Sequence, residues 1–215
     1  DCRAKAKVCR MKWKLVSVSK ETDHPFLNFY VRHYEVEKKD GKHLYDYYVS
    51  SRRKENELLA LTHDFSTPEG ILILLYSFNK EENQYYILLE KQFRPAVNGY
   101  LYSIPAGLME ISDNSIQEAA KRESKEETGA IIDHVELLIP PSPSSTGLSD
   151  EKLALVKGEV IDFSKTDREP FEDIEFSFLP ICKVKEMLSK PDKYTFSFNG
   201  RLSILFLISQ LENKI

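Results

Sequence analysis

Residues 107–130, GLMEISDNSIQEAAKRESKEETGA, most constrain what this chain can fold into, because their polarity pattern predicts an amphipathic helix with carboxylates on its apolar side. On such a helix Glu123 and Glu127 fall within about 60° of Ile116, whereas the lysines lie on the far side. An ordinary surface helix would instead mix its acids with the lysines. Buried carboxylates need a partner, and converging carboxylates usually hold a hard divalent cation. The segment therefore favours a metal-binding helix over a solvated one.

The boundaries of this helix are marked in the sequence. Ser115 and Glu118 have the spacing of a capping box, and Gly129 stands where a left-handed C-terminal cap is expected. Glu126 lies three residues after Glu123 and flanks the same site. These signals predict a helix between residues 115 and 129.

The segment resembles the Nudix box, whose pattern is a glycine, five residues, Glu, seven residues, and then Arg-Glu-aliphatic-x-Glu-Glu-x-Gly-aliphatic. Its second half is present as RESKEETGA over residues 122–130. The first half departs from the pattern. Counting forward from Gly107 puts Asp113 at the Glu position, whereas counting back from Arg122 puts Asn114 there. In the family this Glu pairs with the arginine, so the departure predicts a less rigid loop.

Two further stretches narrow the resemblance to the ADP-ribose pyrophosphatase branch of the family. They are LLEKQFRP at residues 88–95 and IPAG at residues 104–107. That branch also tends to carry a proline beyond the box, and Pro143 is the best match. The surrounding Pro/Ser-rich stretch, residues 140–143, is by itself typical of a loop.

The fold expected from pattern and resemblance is α+β. We predict a small antiparallel β domain over residues 1–62 and a Nudix domain over residues 63–215, with a mixed sheet in an α/β/α sandwich. The remaining elements are read from apolar runs and turns. Strands are predicted near residues 13–18, 26–36, 44–51, 71–78, 85–90, 134–139, 153–161 and 174–179, with helices near 181–189 and 201–213. The last helix is apolar nearly all round, which predicts a buried or interface helix.

The resemblance implies a divalent-metal site. Glu123 and Glu127 would bind Mg²⁺ (or Mn²⁺) directly, Glu126 would contribute, and the backbone carbonyl of Ala106 would complete the site. Arg122 and Glu126 are counted among the catalytic residues of the box.

A general base is implied in a late loop, where residues 167–174 read DREPFEDI. Glu172 is the first choice for this base and Glu169 the second. The alternative is that both are solvated loop acids.

Substrate-binding residues are also implied. Arg94 is placed to hold a phosphate or the terminal ribose, or else forms a structural ion pair. Tyr45 stands where homologues stack an aromatic on adenine, although strand aromatics are usually core or cross-strand pairs. Arg52 and Arg53 stand where homologues reach the ligand of a partner subunit, which implies a homodimer.

The function implied is metal-dependent hydrolysis of ADP-ribose, or a related ADP-sugar, to AMP and a sugar phosphate. Two alternatives stay open. The chain could hydrolyse another nucleoside diphosphate sugar such as GDP-mannose, or it could be a non-catalytic ADP-ribose sensor. Sensors commonly lose metal-binding acids, which this chain retains.

Composition agrees with a compact enzyme in the cytoplasm. A net charge of −4 does not suggest nucleic-acid binding, although residues 1–62 hold 14 basic and 9 acidic side chains. Cys2, Cys9 and Cys182 fit neither a zinc spacing nor a disulfide framework, so free thiols are expected. No apolar run is long enough to suggest a signal peptide or a membrane span.

Overall fold

The computed structural model describes residues 11–168 and 170–212. Its contacts divide the chain into two compact units, which are Asp1–Asp64 with Pro143–Glu151, and Phe65–Ser142 with Lys152–Ile215.

The first unit contains the small antiparallel sheet that the sequence predicts. Its strands, in the order β1-β2-β3, are β1 (Lys12–Lys20), β2 (Asn28–Lys38) and β3 (Gly41–Ser51). The turn between β2 and β3 uses Gly41 at φ 128°, a conformation that side chains rarely adopt. A 3₁₀ turn, Glu55–Glu57, and a short helix α1 (Leu59–Thr62) follow the sheet.

A mixed sheet forms the centre of the second unit. Its strands are β4 (Gly70–Asn79), β5 (Gln84–Arg94), β6 (Gly99–Ser103), β7 (Ala106–Leu108), β8 (Ala130–Pro143), β9 (Lys152–Phe163) and β10 (Ile174–Pro180). The main order is β10-β5-β4-β9-β8, while β6 pairs with β5 and β7 pairs with β4. Strand β4 is parallel to β9 and antiparallel to β5, so the predicted mixed sheet is confirmed.

Helices cover both faces of this sheet. Alternation along β4 directs Ile71, Ile73 and Leu75 into the cluster that contains Ala119 and Ala120 of α2 (Ile116–Thr128). Leu74 points to the opposite face, where α3 (Ile181–Leu188) and α4 (Phe198–Glu212) supply the covering side chains. The α/β/α sandwich is therefore confirmed.

One local expectation is wrong. The stretch expected to be a loop, from Pro140 to Pro143, belongs to strand β8. Because β8 is the last strand in the sheet order, it has one neighbour, and an edge strand tolerates proline.

Helix α4 is buried on one side only, so of the two alternatives that its sequence left open, the interface helix stays a prediction. Ile204, Leu207 and Leu211 are buried, whereas Leu202 and Leu205 are exposed. Within residues 11–168 and 170–212, no helix combines the length and apolarity needed to cross a membrane. Cys182 is a free, exposed thiol, and Cys2 and Cys9 lie outside the described residues.

Candidate active site

Helix α2 presents its glutamates as the sequence predicts. The side chain of Ser115 accepts a hydrogen bond from the backbone of Glu118, and Gly129 ends the helix at φ 74°. Glu127 is 5% exposed, and the Glu123 side chain is 12% exposed. The side chain of Glu126 is 38% exposed, so it lies at the margin of the buried face.

Strand β7 brings backbone groups against Glu127. It pairs with β4, with Leu72 opposite Ala106, and the Ala106 N–H donates to Glu127 Oε2 at 3.2 Å. The backbone of Ala106 therefore lies beside the deepest glutamate of the helix. Its proposed role as a metal ligand through the carbonyl stays a prediction.

Gly107 makes room for Glu123. A Cβ atom at residue 107 would come within 1.8 Å of Glu123 Cδ, closer than non-bonded atoms can approach. The glycine of the box is thus required by the position of the Glu123 carboxylate.

Arg122 connects the acids around the helix. Its Nη1 donates to Glu123 Oε1 at 2.9 Å and to Glu126 Oε2 at 3.0 Å. Its Nε and Nη2 donate to the two carboxylate oxygens of Asp113 at 3.1 Å and 2.9 Å. Asp113 therefore makes the pairing that the missing Glu makes in the family, and the count forward from Gly107 is the one that the structure follows.

This network also closes the loop before the helix. Asp113 Oδ2 accepts from the Glu110 N–H, and Arg122 Nη2 donates to the Leu108 carbonyl. The hydrogen bond with Arg122 lowers the pKa of Asp113 and raises that of Arg122. The arginine therefore hydrogen-bonds to the loop at both Leu108 and Asp113, whereas the expected loss of loop rigidity stays a prediction.

Glu90 is a site residue that the sequence reasoning missed. It lies on β5, is 1% exposed, and its carboxyl hydrogen-bonds to Glu127. A glutamate inside the run ILLEK, two residues after Leu88, would have signalled an inward-facing acid on the face that α2 covers.

The clustered carboxyl groups have strongly perturbed acidities. Burial raises the pKa of Glu127 to about 10, with repulsion from Glu90 and Glu123 adding to the effect. Burial likewise raises the pKa of Glu90 to about 7, and it raises the pKa of Glu123 against the opposing effect of Arg122. Buried acids with such shifts are typical of functional sites.

The late loop is fastened to the end of α2. The N–H of Asp167 donates to the Glu126 carbonyl at 3.0 Å, and Arg168 Nε donates to the Glu127 carbonyl at 2.6 Å. The charge of Glu172 raises the pKa of both Glu123 and Glu127, and its role as the general base stays a prediction. Glu169, the second candidate base, lies outside the described residues.

The predicted substrate-binding residues fall in both units. Arg94 ends β5 and is exposed, and its charge lowers the pKa of Glu90, so it lies near the acidic cluster. In the first unit, Tyr45 lies in a pocket of about 360 Å³ with Trp13 against its ring at 5.5 Å. Arg52 is within 3.9 Å of Glu151, and Arg53 donates to the Glu57 carbonyl at 3.3 Å. Their roles stay predictions.

The donor set fits a hard divalent cation. As the side chains stand, no three acidic, histidine or cysteine residues in the described ranges are grouped to hold a metal. However, Glu90 Oε1 is buried and has no hydrogen-bond partner, although it lies beside Glu127. A buried carboxylate oxygen without a partner, next to further carboxylates, is the kind of donor that Mg²⁺ or Mn²⁺ binds.

The mixed sheet lies between helical layers, and one covering helix carries the clustered glutamates, which fits a Nudix fold. A model of the NUDIX domain matches residues 66–197, and the chain belongs to that family.

Relatives in two yeasts extend the match. The chain is 32% identical over 144 residues to an ADP-ribose pyrophosphatase of Saccharomyces cerevisiae, covering 66% of this chain and 60% of that protein. It is 30% identical over 132 residues to an uncharacterized Nudix hydrolase of Schizosaccharomyces pombe, covering 57% and 62%. The matches thus span about three fifths of each relative's length.

A solved structure shows the same fold. The crystal structure of an ADP compounds hydrolase superposes with a TM-score of 0.67 at 14% identity, covering 94% of this chain and 96% of that one. Family and relatives together support classification of the chain as a Nudix hydrolase.

Proposed function

We propose that the chain hydrolyses the pyrophosphate of ADP-ribose to AMP and ribose 5-phosphate in the presence of Mg²⁺ (or Mn²⁺). The observation that carries the proposal is the burial of Glu127 beside Glu123 and the Ala106 backbone, in a chain similar to an ADP-ribose pyrophosphatase. Buried acids of this kind suit the binding of cations that neutralise phosphate.

Glu123, Glu126 and Glu127, with the Ala106 carbonyl, would hold the metal. When bound, a divalent cation would offset the charge of the two phosphates and help to activate a water molecule. Arg122 orients Glu123 and Glu126 through its hydrogen bonds, as the distances of 2.9 Å and 3.0 Å indicate.

Glu172 would accept the proton of the attacking water as the bond between one phosphorus and the bridging oxygen breaks. The proposal is supported by the electrostatic effect of Glu172 on Glu123 and Glu127. Arg94 would bind a phosphate or the terminal ribose, because it ends β5 close to the acids and its planar fork of donors suits oxyanions.

We further propose a homodimer in which Tyr45, Arg52 and Arg53 bind substrate. The aromatic pocket around Tyr45, lined also by Trp13, Tyr34 and Tyr47, has the chemistry to contact a purine ring. Replacing Arg52 and Arg53 together with alanine should raise KM for ADP-ribose more than it lowers kcat. An unchanged KM would remove both arginines from the substrate site.

The substrate is tested by measuring product release from ADP-ribose, ADP-glucose, GDP-mannose and diadenosine polyphosphates, each with and without Mg²⁺. We expect preferential, metal-dependent release of AMP from ADP-ribose. Faster cleavage of GDP-mannose would move the assignment to another nucleotide sugar. Binding of ADP-ribose without cleavage would identify a sensor instead of an enzyme.

A further inference from the structure

Glu90 is a charged residue in a strand that is otherwise built for burial. Leu88 and Leu89 precede it on β5 with 0% and 1% exposure, and Glu90 itself is 1% exposed. Its ladder partners are Phe176 on β10 and Ser103 on β6. Nothing in this strand pattern requires a carboxylate, and an aliphatic side chain would continue the core.

The side chain of Glu90 faces the box helix. Leu88 belongs to the cluster that α2 covers, and alternation along the strand puts Glu90 on the same face. Its carboxyl hydrogen-bonds to Glu127 on α2. The two acids therefore meet across the interface between sheet and helix.

One carboxylate oxygen of Glu90 makes no hydrogen bond in this arrangement. Oε1 is buried and has no hydrogen-bond partner, although buried polar atoms are nearly always paired. The charged groups that act on Glu90 are Arg94, Arg168, Glu127 and Glu172. The arginines act on it by charge alone, so Oε1 remains available to a ligand that reaches the space beside Glu127.

We propose that Glu90 binds the divalent cation together with Glu127, with Oε1 as its donor atom. The inference rests on the metal dependence in the proposed function and adds a strand residue to a site otherwise formed by α2 and the Ala106 backbone. A hard cation binds carboxylate oxygens preferentially, so it would satisfy Oε1 and balance the charge of the two adjacent acids.

Metal affinity measured directly, without nucleotide, tests this role. Mn²⁺ is titrated into the metal-free protein by calorimetry at one fixed pH, and free Mn²⁺ is followed in parallel by electron paramagnetic resonance. We expect Glu90→Gln to weaken Mn²⁺ binding by at least about tenfold, as loss of a residue at a metal site typically does. Glu175→Gln is the matched control, because Glu175 is an exposed glutamate on the neighbouring strand β10.

Equal Mn²⁺ affinity in wild type and folded Glu90→Gln would overturn the inference and leave Glu90 as a structural partner of Glu127. If the glutamine variant does not fold, Glu90→Asp is tested instead. Aspartate keeps the charge, but its side chain is one methylene shorter, so its carboxylate lies farther from the cation. Its Mn²⁺ affinity should fall, and an unchanged affinity would contradict the proposal.

The Mn²⁺ titration tests the role of Glu90 independently of which substrate the protein cleaves. If wild type binds Mn²⁺, Glu90→Gln binds it weakly, and ADP-ribose is not cleaved, the role of Glu90 stands and the proposed function fails. If wild type binds no Mn²⁺, the inference is overturned whether or not ADP-ribose is hydrolysed.

Discussion

Asp113 accepts two hydrogen bonds from Arg122, one from Nε to Oδ1 at 3.1 Å and one from Nη2 to Oδ2 at 2.9 Å. The same arginine donates to Glu123 and Glu126. One aspartate thus fixes the side chain that orients two of the proposed metal-binding acids.

Replacing Asp113 with Asn should destabilise the protein and impair the site. The Asp113 side chain is 5% exposed, so loss of its charge leaves Arg122 without its main partner, at a cost of about 1–3 kcal/mol. Urea unfolding measures the stability, and AMP release measures the activity. Asp133→Asn, at an exposed position on β8, is the control, and equal stability of the two variants would contradict the role given to Asp113.

Gly107→Ala should disrupt the site without a general loss of stability. Its Cβ would occupy the place of the Glu123 carboxylate, 1.8 Å from Cδ, so the acid would have to move. We expect weaker Mn²⁺ binding and slower turnover. Gly147→Ala is a matched control, because a Cβ at residue 147 meets nothing within 4 Å. Full activity in Gly107→Ala would show that the position of Glu123 is not required.

Arg168 should act by positioning the late loop. It donates to the carbonyls of Glu127 and Ile174 at 2.6 Å and 2.5 Å, and its guanidinium lies 5.7 Å from the ring centre of Phe176. Arg168→Ala should lower kcat by about tenfold or more, since misplacement of a catalytic group is costly, and leave Mn²⁺ affinity nearly unchanged. Lys165→Ala on the same loop is the control. An equal kcat in the two variants would exclude a positioning role for Arg168.

The stability of the metal-free protein should fall as pH rises. The pKa values of Glu90 and Glu127 are raised from 4.5 to about 7 and about 10, chiefly by burial, so the folded chain binds more protons than the unfolded chain above pH 4.5. The free energy of unfolding then decreases with pH, by up to about 1.4 kcal/mol per pH unit for each carboxyl. The contribution of Glu90 to this loss of stability ends near its folded pKa of about 7. The contribution of Glu127 continues up to its folded pKa of about 10.

The change in the free energy of unfolding with pH is measured by urea unfolding in the presence of a chelator, at several pH values on both sides of 7. Glu127→Gln should flatten it, because the variant has no proton to lose at this position. An identical slope in wild type and Glu127→Gln would show that the buried acid does not set the pH dependence.

The sequence predicts the parts of the site that depend on local pattern. Capping residues and helical periodicity place Glu123 and Glu127 on the buried face of α2, because both signals act within a few turns of one helix. The mixed sheet follows in the same way from apolar runs separated by turns.

The unpredicted parts depend on contacts between distant segments. The short strands β6 and β7 are defined by pairing with β5 and β4, which their own residues do not signal. The partnership of Glu90 with Glu127 joins a strand to a helix, and Arg168 donates to the backbone carbonyl of Glu127 at the end of α2. The choice between Asp113 and Asn114 likewise needed the geometry of Arg122.

The central claim is that the buried acids of α2 support metal-dependent hydrolysis of a nucleoside diphosphate sugar. The most direct measurement compares AMP release from ADP-ribose by wild type and Glu127→Gln, each with and without Mg²⁺, with circular dichroism as the check on folding. We expect Mg²⁺-dependent release in wild type and none in a fully folded Glu127→Gln variant. Full turnover by that variant would contradict the assignment of the metal site.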